Sequence, residues 1–133
     1  MKIKDVMISI EKFPVVRETL FFKEALDVMS EKKLGIACIV DQNNLLKGIL
    51  TDGDIRRKLL KVQKPLSALF IDDCIEHAII NPLVTSPDGS LKEAINMMEV
   101  HQVWDLPVVD DQGKLIGLLH LHPAVKALLN ASK

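Results

Sequence analysis

The sequence is poor in aromatic residues and has no excess of either charge. It contains one Trp, four Phe and no Tyr in 133 residues, and its 17 basic residues are offset by 18 acidic ones. A net charge of −1 gives no electrostatic attraction to nucleic acid or anionic lipid. The one basic cluster lacks the interleaved aromatics that bind single-stranded nucleic acid, so we interpret it as a solvated helix face, with phosphate binding as the alternative. Its members are Arg56, Arg57, Lys58, Lys61 and Lys64.

Long apolar runs and cysteine motifs are also missing. The longest apolar stretch, Gly35–Val40, is far too short to cross a bilayer, and the first five residues show no secretory signal. Cys38 and Cys74 have no CxxC spacing, and Cys38 lies in an apolar strand pattern, so we expect it to be a buried, unreactive thiol. No Ser or Cys occupies a strand-to-helix elbow, which argues against a nucleophilic enzyme. A cytoplasmic protein is therefore the default expectation, and an enzyme would need a metal ion at His120 and His122.

The sequence does contain an internal repeat. With an offset of 69 positions, Phe22–Leu60 aligns with Leu91–Leu129 without a gap, and the conserved pairs include Asp41/Asp110, Gly48/Gly117 and Leu60/Leu129. A unit of this size rarely buries its apolar face alone, so duplicated units are expected to pack together. We therefore predict two repeats, residues 1–70 and 71–133, related by a pseudo-twofold axis with any ligand site in the cleft between them.

Each repeat is predicted to fold as β-α-β-β-α, an α+β architecture. Apolar residues recur at i, i+3, i+4 and i+7 from Phe22 and from Leu91, which is typical of a helix with one buried face. Two short strands around an Asp-led turn follow, and then a second helix. The predicted strands are Ile36–Val40, Leu45–Leu50, Leu106–Val109 and Lys114–Leu119; the second helices are roughly Gly53–Lys61 and Pro123–Asn130; edge strands are expected at Pro14–Arg17 and Pro82–Thr85, and a short helix from Pro65 to Leu69.

The segment Gly48–Arg57 is the most informative motif, because it places a hydroxyl and two carboxylates where a strand ends and a helix begins. The unpaired N–H groups of a helix start can receive a phosphate, and Gly53 would let a ligand approach the backbone. Asp54 could then accept hydrogen bonds from ribose hydroxyls. The alternative is local: Thr51 or Asp52 caps the helix, and Asp54 complements its dipole.

The second repeat carries two histidines and the only Trp near its own strand end. If His120 and His122 lay in one strand, both imidazoles would point to the same face and could reach one metal ion. The alternative is a helix cap and a ligand-facing donor, and we expect no bound metal. Trp104 precedes a strand, where it would serve either as a packing anchor or as a base-stacking platform.

The doubled pattern, with Gly-Ile-Leu-Thr-Asp-Gly-Asp and Leu-Pro-Val-Val-Asp strand ends, resembles a tandem CBS domain pair, or Bateman module. In that family the Thr and the Asp three residues later contact the ribose and phosphate of adenine nucleotides, which implies such a role for Thr51 and Asp54. The resemblance also implies pocket walls from the residues that open the strands. The resulting candidate ligand-binding set is Val16, Arg17, Ile36, Ala37, Thr51, Asp52, Gly53, Asp54, Arg57, His120 and His122.

Two segments, Thr51–Arg57 and Gly117–His122, are similar to the carboxy-terminal CBS pair of bacterial D-arabinose-5-phosphate isomerases. This resemblance implies a regulatory module that binds a nucleotide or nucleotide-sugar such as CMP-Kdo, with no other cofactor, a sugar isomerase domain in cis and a homodimer formed through the CBS pairs. The CBS segments of sugar-phosphate nucleotidyltransferases share the first segment, and a dimerisation module without ligand is a further alternative. Because His120 and Pro123 replace the Thr/Asp pair, a second adenosine site of the same kind is not expected.

Overall fold

The computed structural model describes residues 1–131, which form two compact units. The repeat-1 unit is Glu11–Pro82, and the repeat-2 unit combines Met1–Ile10 with Leu83–Lys133. The predicted boundary between residues 70 and 71 follows the sequence repeat, whereas the compact units divide the chain at two places, after Ile10 and after Pro82. Each unit therefore includes a segment that lies outside the aligned part of its own repeat.

Twelve helices and strands follow one another in the order expected for two α+β repeats. They are β1 (Ile8–Ser9), β2 (Val15–Arg17), α1 (Phe22–Lys32), β3 (Ile36–Val40), β4 (Leu46–Thr51), α2 (Asp52–Lys61), α3 (Leu66–Phe70), β5 (Ile79–Ile80), α4 (Leu91–His101), β6 (Asp105–Val109), β7 (Leu115–His120) and α5 (Leu121–Ala131). Short 3-10 segments occupy Ile3–Asp5, Ile10–Lys12 and Cys74–His77. The predicted helices and central strands are confirmed to within about two residues at each end, which is the usual uncertainty of a boundary.

One helix boundary and one edge strand differ from the prediction. The last helix begins at Leu121, so Pro123 is its third residue rather than its first. Proline is tolerated there because the N–H groups of a first helical turn have no partner within the helix. The predicted edge strand at Pro82–Thr85 is wrong as a strand: only Thr85 forms a bridge, parallel to Val108.

Each unit is built on an antiparallel hairpin, which carries two additional strands in the repeat-1 unit and one in the repeat-2 unit. The sheet order is β2-β3-β4-β5 in the repeat-1 unit and β1-β7-β6 in the repeat-2 unit. All five residues of β3 are buried, because β2 and β4 flank it and its residues are all apolar. Cys38 lies in this strand and is buried, as predicted. The second cysteine, Cys74, is also buried, and this burial raises the pKa of its thiol to about 11.

The hairpin turns explain why an Asp is retained at the same place in both repeats. Asp41 Oδ1 accepts hydrogen bonds from the N–H groups of Asn43 and Leu45, at 2.8 and 3.0 Å. Asp110 does the same for Gln112 and Lys114, at 2.9 Å each. These side-chain bonds satisfy the backbone where the chain reverses and so fix the hairpin register.

The retained glycines lie where an edge segment approaches the hairpin closely. A Cβ at Gly48 would stand 2.8 Å from the carbonyl oxygen of Ile79 in β5. A Cβ at Gly117 would stand 2.6 Å from Met7 Sδ, next to β1. A side chain at Gly48 would push β5 away, because the contact is with its backbone, whereas at Gly117 the Met7 side chain can move and the β1 backbone, the Ile8 carbonyl oxygen, is 3.1 Å away.

Replacement of Gly48 by alanine is expected to lower the free energy of unfolding by about 1–3 kcal/mol, because the methyl group overpacks the contact with the Ile79 carbonyl. Gly117→Ala should cost less, because the Met7 side chain can move. Urea unfolding measures the loss. Lys47→Ala, at an exposed position of β4, is the control and should stay within about 0.5 kcal/mol of the parent. A Gly48→Ala variant as stable as the parent would contradict the close approach.

Among the helices of residues 1–131, none has the length and apolar character needed to cross a membrane.

Candidate functional site

The site predicted in the first repeat forms at the junction of β4 and α2. Thr51 is the last residue of β4, has extended backbone angles and caps the helix: the N–H of Asp54 donates to Thr51 Oγ1 at 3.2 Å. The same hydroxyl donates to Asp54 Oδ2 at 2.7 Å. The capping interpretation is therefore confirmed, and the hydroxyl and carboxylate named by the sequence are in direct contact.

Arg57 extends this network by one helical turn. Its Nη2 donates to Asp54 Oδ1 at 2.7 Å, and its guanidinium lies over Gly53, where a Cβ would stand 3.1 Å from Nη2. The Arg57 side chain is 56% exposed and that of Asp54 is 26% exposed. Burial favours the protonated acid, but the hydrogen bonds from Arg57 and Thr51 and the arginine charge outweigh it and hold the pKa of Asp54 below its ordinary value. The site thus presents an ionised carboxylate and a largely exposed cation beside the start of a helix.

Asp52 faces a different part of the same unit. Its N–H donates to the carbonyl of Gly35 at 3.0 Å, and a Cβ on Gly35 would stand 2.6 Å from Asp52 Oδ2. Asp52 and Gly35 help to line a pocket of about 410 Å³ beside the end of α1. The remaining lining residues are Leu26, Met29, Ser30, Lys33 and Leu34. Asp52 is therefore the one member of the candidate set that lines this pocket.

The four candidates from the strands differ in exposure: three are buried and one is exposed. The side chains of Val16, Ile36 and Ala37 are buried, at 5%, 1% and 0% exposure. Arg17 is exposed, and its Nη1 donates to the carbonyl of Asp41 at 3.2 Å. Ile36 is opposite Thr51 in the β3–β4 register, which places it next to the capping residue. A ligand role for these four residues stays a prediction.

In the second repeat the geometry assumed for a histidine metal pair is wrong. His120 is the last residue of β7, whereas His122 lies in α5, so the two do not share a strand face. Instead, His120 Nδ1 is 2.7 Å from Asp105 Oδ1, across the β6–β7 pair. Within residues 1–131 no cluster of three or more His, Cys, Asp or Glu is arranged to hold a metal ion. Trp104 is 70% exposed, which removes the packing-anchor interpretation.

Sequence reasoning missed Asp105. Its side chain is 10% exposed, and burial raises its pKa, an effect that the hydrogen bond from His120 and the histidine charge only partly oppose. The signal was available in the alignment of the repeats: Asp105 occupies the position of Ile36, and a carboxylate at an otherwise apolar strand start requires a partner. The aligned partner position, that of Thr51, holds His120.

Sequence reasoning also missed Asp72, an acidic residue that follows α3 in a segment for which no helix or strand was predicted. Asp72 Oδ2 is 2.8 Å from His77 Nε2 and 3.1 Å from Lys64 Nζ. Both hydrogen bonds lower the pKa of Asp72. His77 also contacts the ring of Phe22, with the centroids 4.9 Å apart, so this cluster attaches the segment after α3 to the start of α1.

The lowered pKa of Asp54 makes its contribution to stability dependent on pH. A depressed folded-state pKa stabilises the fold above the unfolded value of 3.8, and this stabilisation is lost as the pH falls through the folded value. Asp54→Asn should therefore cost about 1 kcal/mol at neutral pH and progressively less below pH 3.8. Urea unfolding of both proteins across this range measures the difference, and a deficit that does not change with pH would contradict the assignment.

Comparison with known proteins identifies the family. The model of the CBS domain matches residues 3–61 and 75–129. The chain belongs to the CBS domain family and contains the domain twice.

Similar proteins of two kinds are known. An uncharacterized protein of Helicobacter pylori strain J99 is 39% identical over 98% of this chain and 38% of its own length. Arabinose 5-phosphate isomerase KdsD of Escherichia coli K12 is 30% identical over 96% of this chain and 37% of its own length. The chain thus spans little more than a third of these relatives.

The solved structures that resemble the chain are CBS pairs. CBSX2 in complex with AMP is 28% identical, with a TM-score of 0.84 over 99% of this chain and 98% of the other. CBSX2 from Arabidopsis thaliana is 26% identical, with a TM-score of 0.81 over 98% and 96% of the two chains. The predicted α+β fold and CBS resemblance are confirmed.

Proposed function

We propose that this chain is a regulatory CBS pair that binds a nucleotide or nucleotide-sugar at the β4–α2 junction. The observation that carries the proposal is the Thr51–Asp54–Arg57 network, in which the side chains come from the cap, the first turn and the second turn of one helix. The carboxylate has acceptor capacity for ribose hydroxyls, Arg57 offers donors to a phosphate or carboxylate, and the helix start adds N–H groups. No nucleophile or general base is required for this role.

Two relatives support the choice of ligand class. CBSX2, whose fold covers nearly the whole chain, binds AMP. The likeness to KdsD, together with the small share of KdsD that the chain spans, favours a sugar isomerase domain in cis as the partner that responds to binding. A cytidine-activated sugar such as CMP-Kdo would then act as a feedback ligand, with Thr51 and Asp54 on its hydroxyls and Arg57 on its charged group.

A self-association role is the second candidate function, and exposed apolar residues support it. Leu60 in α2 and Leu129 in α5 are aligned, identical residues of the two repeats, and both are largely exposed, at 78% and 62%. Large apolar side chains that occur in both repeats and are exposed to water favour a surface that is covered by a second copy of the chain. This role is compatible with ligand binding, but it does not need it.

Ligand binding is tested with AMP, CMP and CMP-Kdo as probes in titration calorimetry. Loss of a charge-assisted hydrogen bond worth about 1.5–3 kcal/mol predicts that Asp54→Ala weakens binding roughly tenfold to a hundredfold. Asp27→Ala removes an equally charged, exposed residue of the same unit and should leave the affinity unchanged. Equal affinities of Asp54→Ala and the parent protein would reject the site, and no binding of any probe to the parent would favour the second function.

Self-association is tested by sedimentation equilibrium of the Leu60→Ser/Leu129→Ser double variant. The double variant should dissociate at concentrations where the parent protein is dimeric, because two apolar contacts are replaced by polar groups. Val100→Ser, which changes an equally exposed residue of α4, is the matched control and should remain dimeric. A parent protein that is monomeric at high concentration would contradict this role.

A further inference from the structure

The two repeats place chemically different pairs at the same point of their hairpins. In the first repeat Ile36 is opposite Thr51, and in the second repeat Asp105 is opposite His120. The positions correspond in the sequence repeat, and Thr51 and His120 each immediately precede a helix. The first repeat thus has a hydroxyl opposite an apolar side chain, where the second repeat has an imidazole opposite a carboxylate.

The contact between Asp105 and His120 determines which imidazole nitrogen carries the proton. Asp105 Oδ1 lies 2.7 Å from His120 Nδ1, and an ionised carboxylate can only accept hydrogen bonds. The proton of a neutral His120 is therefore on Nδ1. The Asp105 side chain, at 10% exposure, is held in place by the surrounding protein, whereas that of His120, at 27%, reaches the surface.

The other ring nitrogen of His120 remains available. Among residues 1–131, Nε2 has no hydrogen-bond partner, and the only fully buried side-chain polar atom without a partner there is His77 Nδ1. His120 Nε2 is therefore accessible to solvent. With the proton on Nδ1, this accessible nitrogen is a hydrogen-bond acceptor.

We propose that Asp105 is a positioning residue that holds His120 in the Nδ1-protonated form, so that the repeat-2 unit presents Nε2 as an acceptor for a ligand hydroxyl or amino group. The complementary ligand class is a sugar or nucleotide with such a donor, and this part of the inference rests on the proposed function. Thr51, at the corresponding position of the first repeat, already uses its hydroxyl on Asp54. The two repeats therefore recognise different groups, and His120 is the repeat-2 determinant of specificity.

The protonated nitrogen is observed directly in the ligand-free protein. Two-bond ¹H–¹⁵N correlation of ¹⁵N-histidine-labelled protein at about pH 8.5, well above the ordinary histidine pKa, separates the two neutral forms. We expect His120, assigned with a His120→Gln variant, to be protonated mainly on Nδ1. A His120 protonated mainly on Nε2 would overturn the inference, and this result does not depend on any ligand.

Variants then test whether Asp105 causes this preference. Asp105→Asn should shift His120 toward the Nε2-protonated form, because the new amide can donate to Nδ1. Asp111→Asn removes the same charge from the exposed β6–β7 turn and should leave the spectrum unchanged. An unchanged spectrum in folded Asp105→Asn would overturn the assignment, and if that variant does not fold, the measurement on the parent protein still decides.

The ligand consequence is measured with AMP and CMP in calorimetry at the same pH. For whichever probe binds, Asp105→Asn should weaken the affinity roughly tenfold, since a donor on the ligand loses its acceptor. Asp111→Asn should not change it. Equal affinities of Asp105→Asn and the parent protein would overturn the specificity role. If neither probe nor CMP-Kdo binds the parent protein, the proposed function fails, while the protonation result still decides the positioning role of Asp105.

Discussion

The register of the antiparallel hairpin is the constraint on which each unit depends. Because side chains alternate between the two faces of a strand, a slip of one residue would exchange the buried positions of β4, Gly48 and Leu50, with their less buried neighbours. The register is fixed at one end by the Asp-led turn and along its length by the edge strand that crosses a glycine. Both hairpins also carry an irregularity at the same place, between Ile39 and Val40 and between Val108 and Val109. The candidate sites lie at the far end of this fixed register, where a residue of the first strand meets the last residue of the second.

Most of the fold could be predicted from the sequence because its signals are local. Apolar spacing identified α1 and α4, and the turn residues bounded the hairpins. The edge strands β1 and β5 were not found, since two residues are too few to show a period of two. Their pairing also joins distant parts of the chain: Ile8 lies opposite Leu118, and Ile79 opposite Ile49. Such contacts depend on tertiary packing rather than on neighbouring residues.

In the candidate sites, too, the local contacts could be predicted from the sequence and the contact between distant residues could not. Thr51, Asp54 and Arg57 are three residues apart on one helix start, so helical geometry alone brings them together. The contact of Asp105 with His120 spans a hairpin and was missed, although the alignment of the repeats placed an acid against an apolar residue. The histidine metal pair failed for a related reason: the strand ends at His120, and the following residues turn into α5. A period of two was applied to His122, which lies two residues beyond the end of the strand.

The interactions at the β4–α2 junction differ in strength, so a ligand could replace the weaker one and leave the stronger one in place. The bond between Thr51 and the Asp54 backbone caps the helix and would not need to break when a ligand binds the Asp54 carboxylate. The Asp54–Arg57 pair is partly exposed, and such pairs contribute only about 0–1 kcal/mol. A ligand donor that offers Asp54 a bond of about 1.5–3 kcal/mol therefore displaces Arg57 at little cost. The released guanidinium remains one turn away and can receive a phosphate or carboxylate. Binding would thus replace one weak internal ion pair by two contacts to the ligand without disturbing the cap.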